Sequence, residues 1–361
     1  MNKKSFLENK ILKNKLSEKV NVLYSDLETE ILVTIAKQLK EKDDMLYSIS
    51  VLTNDNQKII NDFSKRIEKE IERAISETGE LAENDFKSFL ESQVKKGNLN
   101  YVADRSSLKR VIGNVIRKAT NEFNILNANL LNGVNQVYNE ILLQATIETT
   151  AGLKSRNDAL IDAMRKYAKK GVPVIVDSAG RKWHAETYAE MVMRTNIQQT
   201  ARNVQDEQFE LYGVEYVEIS QHEGARPLCS PHQGKVFYRG RGESELYPPL
   251  SSTSMGAPAG LFGINCGHVS YPFIPGVNEK PTIVTDVKEN DRIYEESQQQ
   301  RYLERQIRKA KRELRVVSEF ESEQATKKSQ ILLEKKEEEM EQFIKKTGRT
   351  RRKQREKIIL T

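Results

Sequence analysis

The chain has 361 residues, of which 37% are hydrophobic, 30% charged and 7% aromatic, with a net charge of +6. No run approaches the ~20 apolar residues of a bilayer-spanning helix, and two cysteines cannot make a disulfide-rich scaffold, so membrane-embedded and knottin-like classes are excluded. The first residues are basic with no apolar segment behind them, which argues against a secretory signal.

Proline is missing before Pro173 and glycine is sparse there, so helix breakers are rare where helical periodicity is strong. Asp26 reads as an N-cap, followed at helical spacing by Leu27, Ile31, Thr34, Ile35 and Leu39. Further stripes are Phe63, Ile67 and Ile71, then Val111, Val115 and Ile116, then Leu126, Leu130, Val134, Val137 and Ile141. Residues 1–170 therefore form a first region of long helices. They are either an extended, tethered array or an antiparallel bundle that stabilises itself.

Val172, Val174 and Val176 alternate, Ser178-Ala179-Gly180 makes a turn, and Lys182-Trp183-His184 returns as a short hairpin. A helix from about Glu186 to Glu210 follows, ended by Gly213, and Val214 to Ile219 reads as a strand. Residues 222–276 then concentrate 9 of the 18 Gly, 7 of the 9 Pro, both Cys and 3 of the 4 His. A long irregular segment inside a domain is functional or clamped by something. Residues 171–289 make a central α+β region, and from Asn290 to the end the chain returns to charged helix. The fold class is mainly α with a small α+β core, flanked by long N-terminal helices and a long charged C-terminal helix.

Two patterns in this frame carry chemistry. The first is Cys229-x2-His232, then 33 residues, then Cys266-x-His268. Thiolate and imidazole suit a tetrahedral structural zinc, and His222 is a spare ligand. A Cys229–Cys266 disulfide, a metal-free packed network and a Cys–His nucleophile pair remain open beside zinc. The second pattern is Arg301, Arg305, Arg308, Arg312 and Arg315, which form one stripe over about 21 Å of helix. Leu303, Ile307, Ala310, Leu314 and Val317 form another on the opposite face. Either the apolar face docks on protein while the guanidinium groups face outward to phosphates or carboxylates, or the stripe is the solvated face of a coiled-coil helix. The segment 345–357 adds Arg349, Arg351 and Arg352 among eight basic residues, against Glu356 alone. Residues 291–361 hold 20 Lys/Arg and 14 Asp/Glu, so the whole excess of +6 lies in the last fifth of the chain. Basic tails of this kind bind polyanions nonspecifically.

Several motifs in order resemble the phage minor capsid protein 2 family, within the wider MuF-like head morphogenesis group. They are Met193-Arg194-Thr195-Asn196, His222 to Pro227 leading into Cys229-Ser-Pro-His232-Gln233-Gly234, Tyr247-Pro248-Pro249-Leu250, Gly263-Ile-Asn265-Cys266-Gly-His268, and the run from Tyr294 to Arg308. Gly267 departs from the pattern, where a basic residue is expected. The resemblance implies a non-enzymatic structural component of the virion, present in few copies at the portal vertex and made in the host cytoplasm. Its partners would be the portal, other head proteins and double-stranded DNA, with residues 1–170 as the portal-associating region and 290–361 as a DNA-contacting arm. The competing expectation is a metal-dependent nuclease or cysteine hydrolase built on His222, Cys229, His232 and His268. No acidic metallonuclease spacing, G-x-S-x-G, HExxH or phosphate-binding glycine loop accompanies those residues. A cellular DNA-binding regulator lacks support from any helix-turn-helix spacing.

Overall fold

The structure is a computed structural model that describes residues 3–41, 45–95, 106–177, 180, 182–279, 281 and 286–358, with the side chains of 3–15, 41, 45–53, 90–95 and 106 outside that description. Seven α-helices and five short strands are found among the described residues. The helices are α1 (Lys3–Glu41), α2 (Met45–Lys95), α3 (Ser106–Thr150), α4 (Arg156–Lys170), α5 (Ala185–Leu211), α6 (Val287–Ser318) and α7 (Glu323–Thr347). The strands are β1 (Pro173–Val176), β2 (Lys182–His184), β3 (Tyr216–Ile219), β4 (Val236–Tyr238) and β5 (Ser270–Phe273). Mainly α with a small β part is what the sequence predicts. No described helix is long and apolar enough to cross a membrane.

The chain forms two compact units that are interleaved in sequence. One comprises residues 1–17, 71–120 and 191–298, the other 18–70, 121–190 and 299–361. The three consecutive regions expected from composition do not coincide with these units, because α1, α2, α3, α5 and α6 each supply residues to both. Composition changes along the chain; packing follows the apolar faces of helices that are distant in sequence.

The second unit (18–70, 121–190 and 299–361) is built on the stripes read from the sequence. Leu27, Ile31, Ile35 and Leu39 of α1, Phe63 and Ile67 of α2, and Leu126, Leu130, Val134, Val137 and Ile141 of α3 are all buried. Tyr24 meets Phe63 edge-on with ring centroids 4.8 Å apart. Its hydroxyl donates to Asn127 Oδ1 at 2.7 Å, and Asn127 donates in turn to Ser64 Oγ at 2.9 Å. Asp26 is not an N-cap: α1 runs unbroken through it. The β1–β2 hairpin forms as predicted, pairing Pro173 with His184 and Val176 with Lys182, while Ser178 and Ala179 of its turn lie outside the described residues. The hairpin comes so close to α3 that a Cβ on Gly133 would stand 2.2 Å from the Pro173 carbonyl oxygen, so only glycine fits there.

The expected single C-terminal helix is two helices. Glu321 takes a left-handed φ of 53° between them, and Ser322 caps α7 by accepting from the Ala325 N–H. Gly348 closes α7 with a φ of 70°. The chain beyond is not helical apart from a 3-10 turn over Lys353–Glu356. On one face of α6, Leu303 and Ile307 pack against Met340 of α7, joined by Leu333, Phe343 and Ile344.

The first unit (1–17, 71–120 and 191–298) holds the three-stranded antiparallel sheet β4-β3-β5. Val217 of β3 is opposite Phe237 on one side and Pro272 on the other. Pro272 is tolerated because β5 is an edge strand with no ladder bond to lose on its outer side. Phe86 and Phe89 of α2 pack with Phe209, Val214 and Val217, and Ala82 and Leu108 pack with Ala201 and Val204 of α5.

Candidate metal centre and the arginine–carboxylate network

In the first unit the adjacency of β3 and β5 gathers the cysteines. The chain leaving β3 and the chain entering β5 are tied by Ser220 N–H to the Val269 carbonyl at 2.9 Å and Val269 N–H to Ser220 Oγ at 3.0 Å. Cys229 sits in a tight turn in which its own N–H and that of Ser230 both donate to the Arg226 carbonyl at 2.8 Å. Arg226 in turn donates from Nη1 to the Ile264 carbonyl at 2.8 Å, clamping the Cys229 turn to the Cys266 loop. Cys229 Sγ then lies 4.0 Å from Cys266 Sγ, which lies 3.4 Å from His268 Nδ1. All three residues are buried and both cysteines are free thiols. The Cys229 hydrogen bond pulls the Cys266 thiol down, helped by His268 against burial, while that same bond and burial push the Cys229 thiol up.

One donor atom from each of Cys229, Cys266 and His268 lies within 4.8 Å of the others. His232 is not gathered with them, contrary to the spacing-based expectation. Its Nε2 accepts from the Ser254 N–H at 3.1 Å, and its ring stands edge-on to Phe237. Proline at 231 throws the chain into a 3-10 turn over Ser230–His232, which separates the work of Cys229 from that of His232. The spare histidine, His222, lies instead with its ring centroid 4.4 Å from that of His268. Cys266 and His268 also line a cleft of about 420 Å³, with Gln198, Gln199 and Arg202 of α5 and Phe262 opposite.

In the second unit the arginine stripe of α6 does not face outward along its whole length. Arg308 and Arg312 are buried. Arg308 donates from Nε to Glu186 Oε1 at 2.7 Å and from Nη1 to the Arg355 carbonyl. Arg312 Nη2 lies 3.0 Å from both Glu28 Oε2 and Glu186 Oε2. Arg301, Arg305 and Arg315 are half-buried, and Arg315 pairs with Glu319. The tail arginines are engaged too: Arg349 Nε donates to Gln300 at 2.9 Å, Arg351 holds Glu356, and Arg352 Nε donates to Glu304 at 2.8 Å. Arg355, also buried, reaches Glu18, Glu190 and Glu304. Arg308 and Arg312 need no acid from α6 itself because their partners, Glu28 and Glu186, stand on α1 and α5. Glu28, Glu186 and Glu190 are thus the residues that sequence reasoning missed. The one available signal is Glu28 itself, which immediately follows Leu27 of the apolar stripe.

The same burial acts oppositely on two of these acids. Burial raises Glu28 to about 6, with Arg312 only partly offsetting it and the Glu186 charge adding to it. Burial would raise Glu186 as well, but Arg308 and Arg312, by charge and hydrogen bond, outweigh it and hold the carboxyl at about 2.

The fold and the site define a mainly helical protein with a buried thiol–imidazole cluster in one unit and a buried arginine–carboxylate network in the other. The phage minor capsid protein 2 family matches residues 9–345, and the chain belongs to it. It is 34% identical over 181 residues to a structural protein of Lactococcus phage LL-H, covering 49% of each chain. It is 45% identical over 65 residues to a structural protein of Lactococcus phage mv4, covering 18% of this chain and 53% of that one. The chain thus spans about half the length of these curated relatives. No solved structure matches it.

Proposed function

We propose that this phage minor capsid protein is a non-catalytic head component that associates with the portal and touches packaged DNA nonspecifically. The observation that carries the reading is the family match over nearly the whole chain. The DNA-contacting groups in this reading are not Arg308, Arg312 and Arg315 of α6, which are paired with carboxylates. They are Lys345, Lys346, Lys353 and Lys357, which are exposed and outside the ion pairs described above. Packaged DNA is dense and polyanionic, so lysines on a surface suffice where no base is read.

Two measurements on the full chain test the two halves. Co-purification with the portal protein of the same phage is expected to yield a complex, and its failure removes the portal role. DNA binding followed against salt is expected to fall steeply. Changing the four lysines to alanine should flatten the slope of log K against log salt by about 3–4, at ~0.9 per phosphate contact. Binding that ignores salt removes the DNA role.

A further inference from the structure

We propose that Cys229, Cys266 and His268 bind one zinc ion. The distances suit it. Zinc–sulfur bonds of about 2.3 Å and a zinc–nitrogen bond of about 2.0–2.1 Å at tetrahedral angles place sulfur about 3.8 Å from sulfur and about 3.6 Å from nitrogen. The chain holds the two sulfurs 4.0 Å apart and Cys266 Sγ 3.4 Å from His268 Nδ1, with all three donor residues' atoms within 4.8 Å of one another. A disulfide needs its sulfurs about 2.05 Å apart, so the same pair would have to close by half that gap. Moreover, His268 is buried and turns its Nδ1 to the Cys266 sulfur, so the nitrogen beside the two thiols is the one that takes the ion.

The local fold needs such a clamp. The buried apolar cluster beneath these loops consists of Ile219, Cys229, Phe237, Leu261 and Cys266. Two of its five members are the cysteines themselves, in a segment of 55 residues rich in Gly and Pro. Binding releases the protons of both thiols to solvent and leaves two zinc–thiolate bonds, so the two sulfur charges cancel that of the ion in the buried site. The fourth position falls to a water or to His222, whose ring lies beside that of His268. The ligand set differs from the one that spacing suggests: His232 is replaced, because its Nε2 already holds the Ser254 loop.

Cobalt substitution of the full-length, reduced, chelator-stripped chain tests the site directly. Titrated cobalt is expected to give a near-ultraviolet thiolate-to-metal charge-transfer band that saturates at one equivalent and is bleached by zinc. His232→Gln, which keeps an acceptor for Ser254, should titrate as the parent does. Cys229→Ser and Cys266→Ser should each lose zinc affinity by about tenfold or more. The wild-type measurement stands even if those serine variants fail to fold. A folded, reduced chain that takes up cobalt with no charge-transfer band overturns the proposal. So does loss of the band in a folded His232→Gln chain, or recovery of the cysteines as a disulfide in a reduced-then-air-handled chain that takes up no metal.

Discussion

Glu28 and Glu186 share Arg312, yet they answer pH in opposite directions. Glu28 at about 6 binds its proton more tightly folded than at its ordinary 4.5. Its contribution is greatest below pH 4.5 and is lost as pH rises through 6, by about 2 kcal/mol at ~1.4 kcal/mol per unit. Glu186 at about 2 contributes above pH 4.5 and loses its contribution as pH falls toward 2. Urea unfolding of the wild type and Glu28→Gln across pH 4–7 checks the first sign: the stability difference between them should move by about 2 kcal/mol between pH 4.5 and 6.5. A constant difference would refute the buried, protonatable Glu28. Arg312→Met leaves two buried carboxylates short of a cation and should cost about 3–5 kcal/mol, read as a drop in the urea midpoint at pH 7. None of this pairing was legible in the sequence. Arg308 meets Glu186 across 122 residues of chain, and only helix packing brings them together. What was legible at this scale was burial: Leu27, Ile31, Leu130 and Val137 recur at helical spacing and are all in the core, because a helix face that excludes water must repeat with the helix.

At the scale of elements, α6 explains both the strength and the error of pattern reading. Its two stripes were real and lie on different faces, as the periodicity required. The step from "polar face" to "facing solvent" failed, since a stripe of one charge sign can be buried when other helices supply the opposite sign. The apolar face behaves as expected, with Leu303 and Ile307 against Met340 of α7. Ile307→Ala or Met340→Ala should destabilise by about 2–5 kcal/mol, since each side chain is fully buried. Ser322→Ala should cost about 1 kcal/mol by removing the α7 cap. Thermal melts of the three variants should therefore rank with the serine change mildest. The break between α6 and α7 had a signal, Ser322 ahead of Ala325, but no glycine or proline marks it, so charge alone made the segment look continuous. The cysteine cluster was half legible for a similar reason. Spacing brought Cys229, Cys266 and His268 under notice, whereas the turn at Pro231 that diverts His232 depends on three-dimensional geometry.

For the whole molecule, the two compact units cut across the three regions that composition marks out. Residues 171–289 hold the cysteine cluster, yet Val217 of the sheet they carry and the adjoining Val214 pack on Phe86 and Phe89, which belong to α2. Phe86 also meets Phe209 with ring centroids 5.6 Å apart. Cutting the chain at 170 and 289 strips that layer away and exposes an apolar surface where two large rings had been, each such side chain contributing about 1.5–3 kcal/mol when buried. Expressed alone, 171–289 should show a broad, non-cooperative melt and bind a hydrophobic dye, while the full chain should bind little dye and melt as a cooperative assembly. Adding a 71–120 segment on the same polypeptide, joined by a flexible linker, should restore cooperativity in the fragment, because it returns Ala82, Phe86, Phe89 and Leu108 together. A sharp melt of 171–289 by itself would mean that the loop module carries its own core and that the helices merely attach to it.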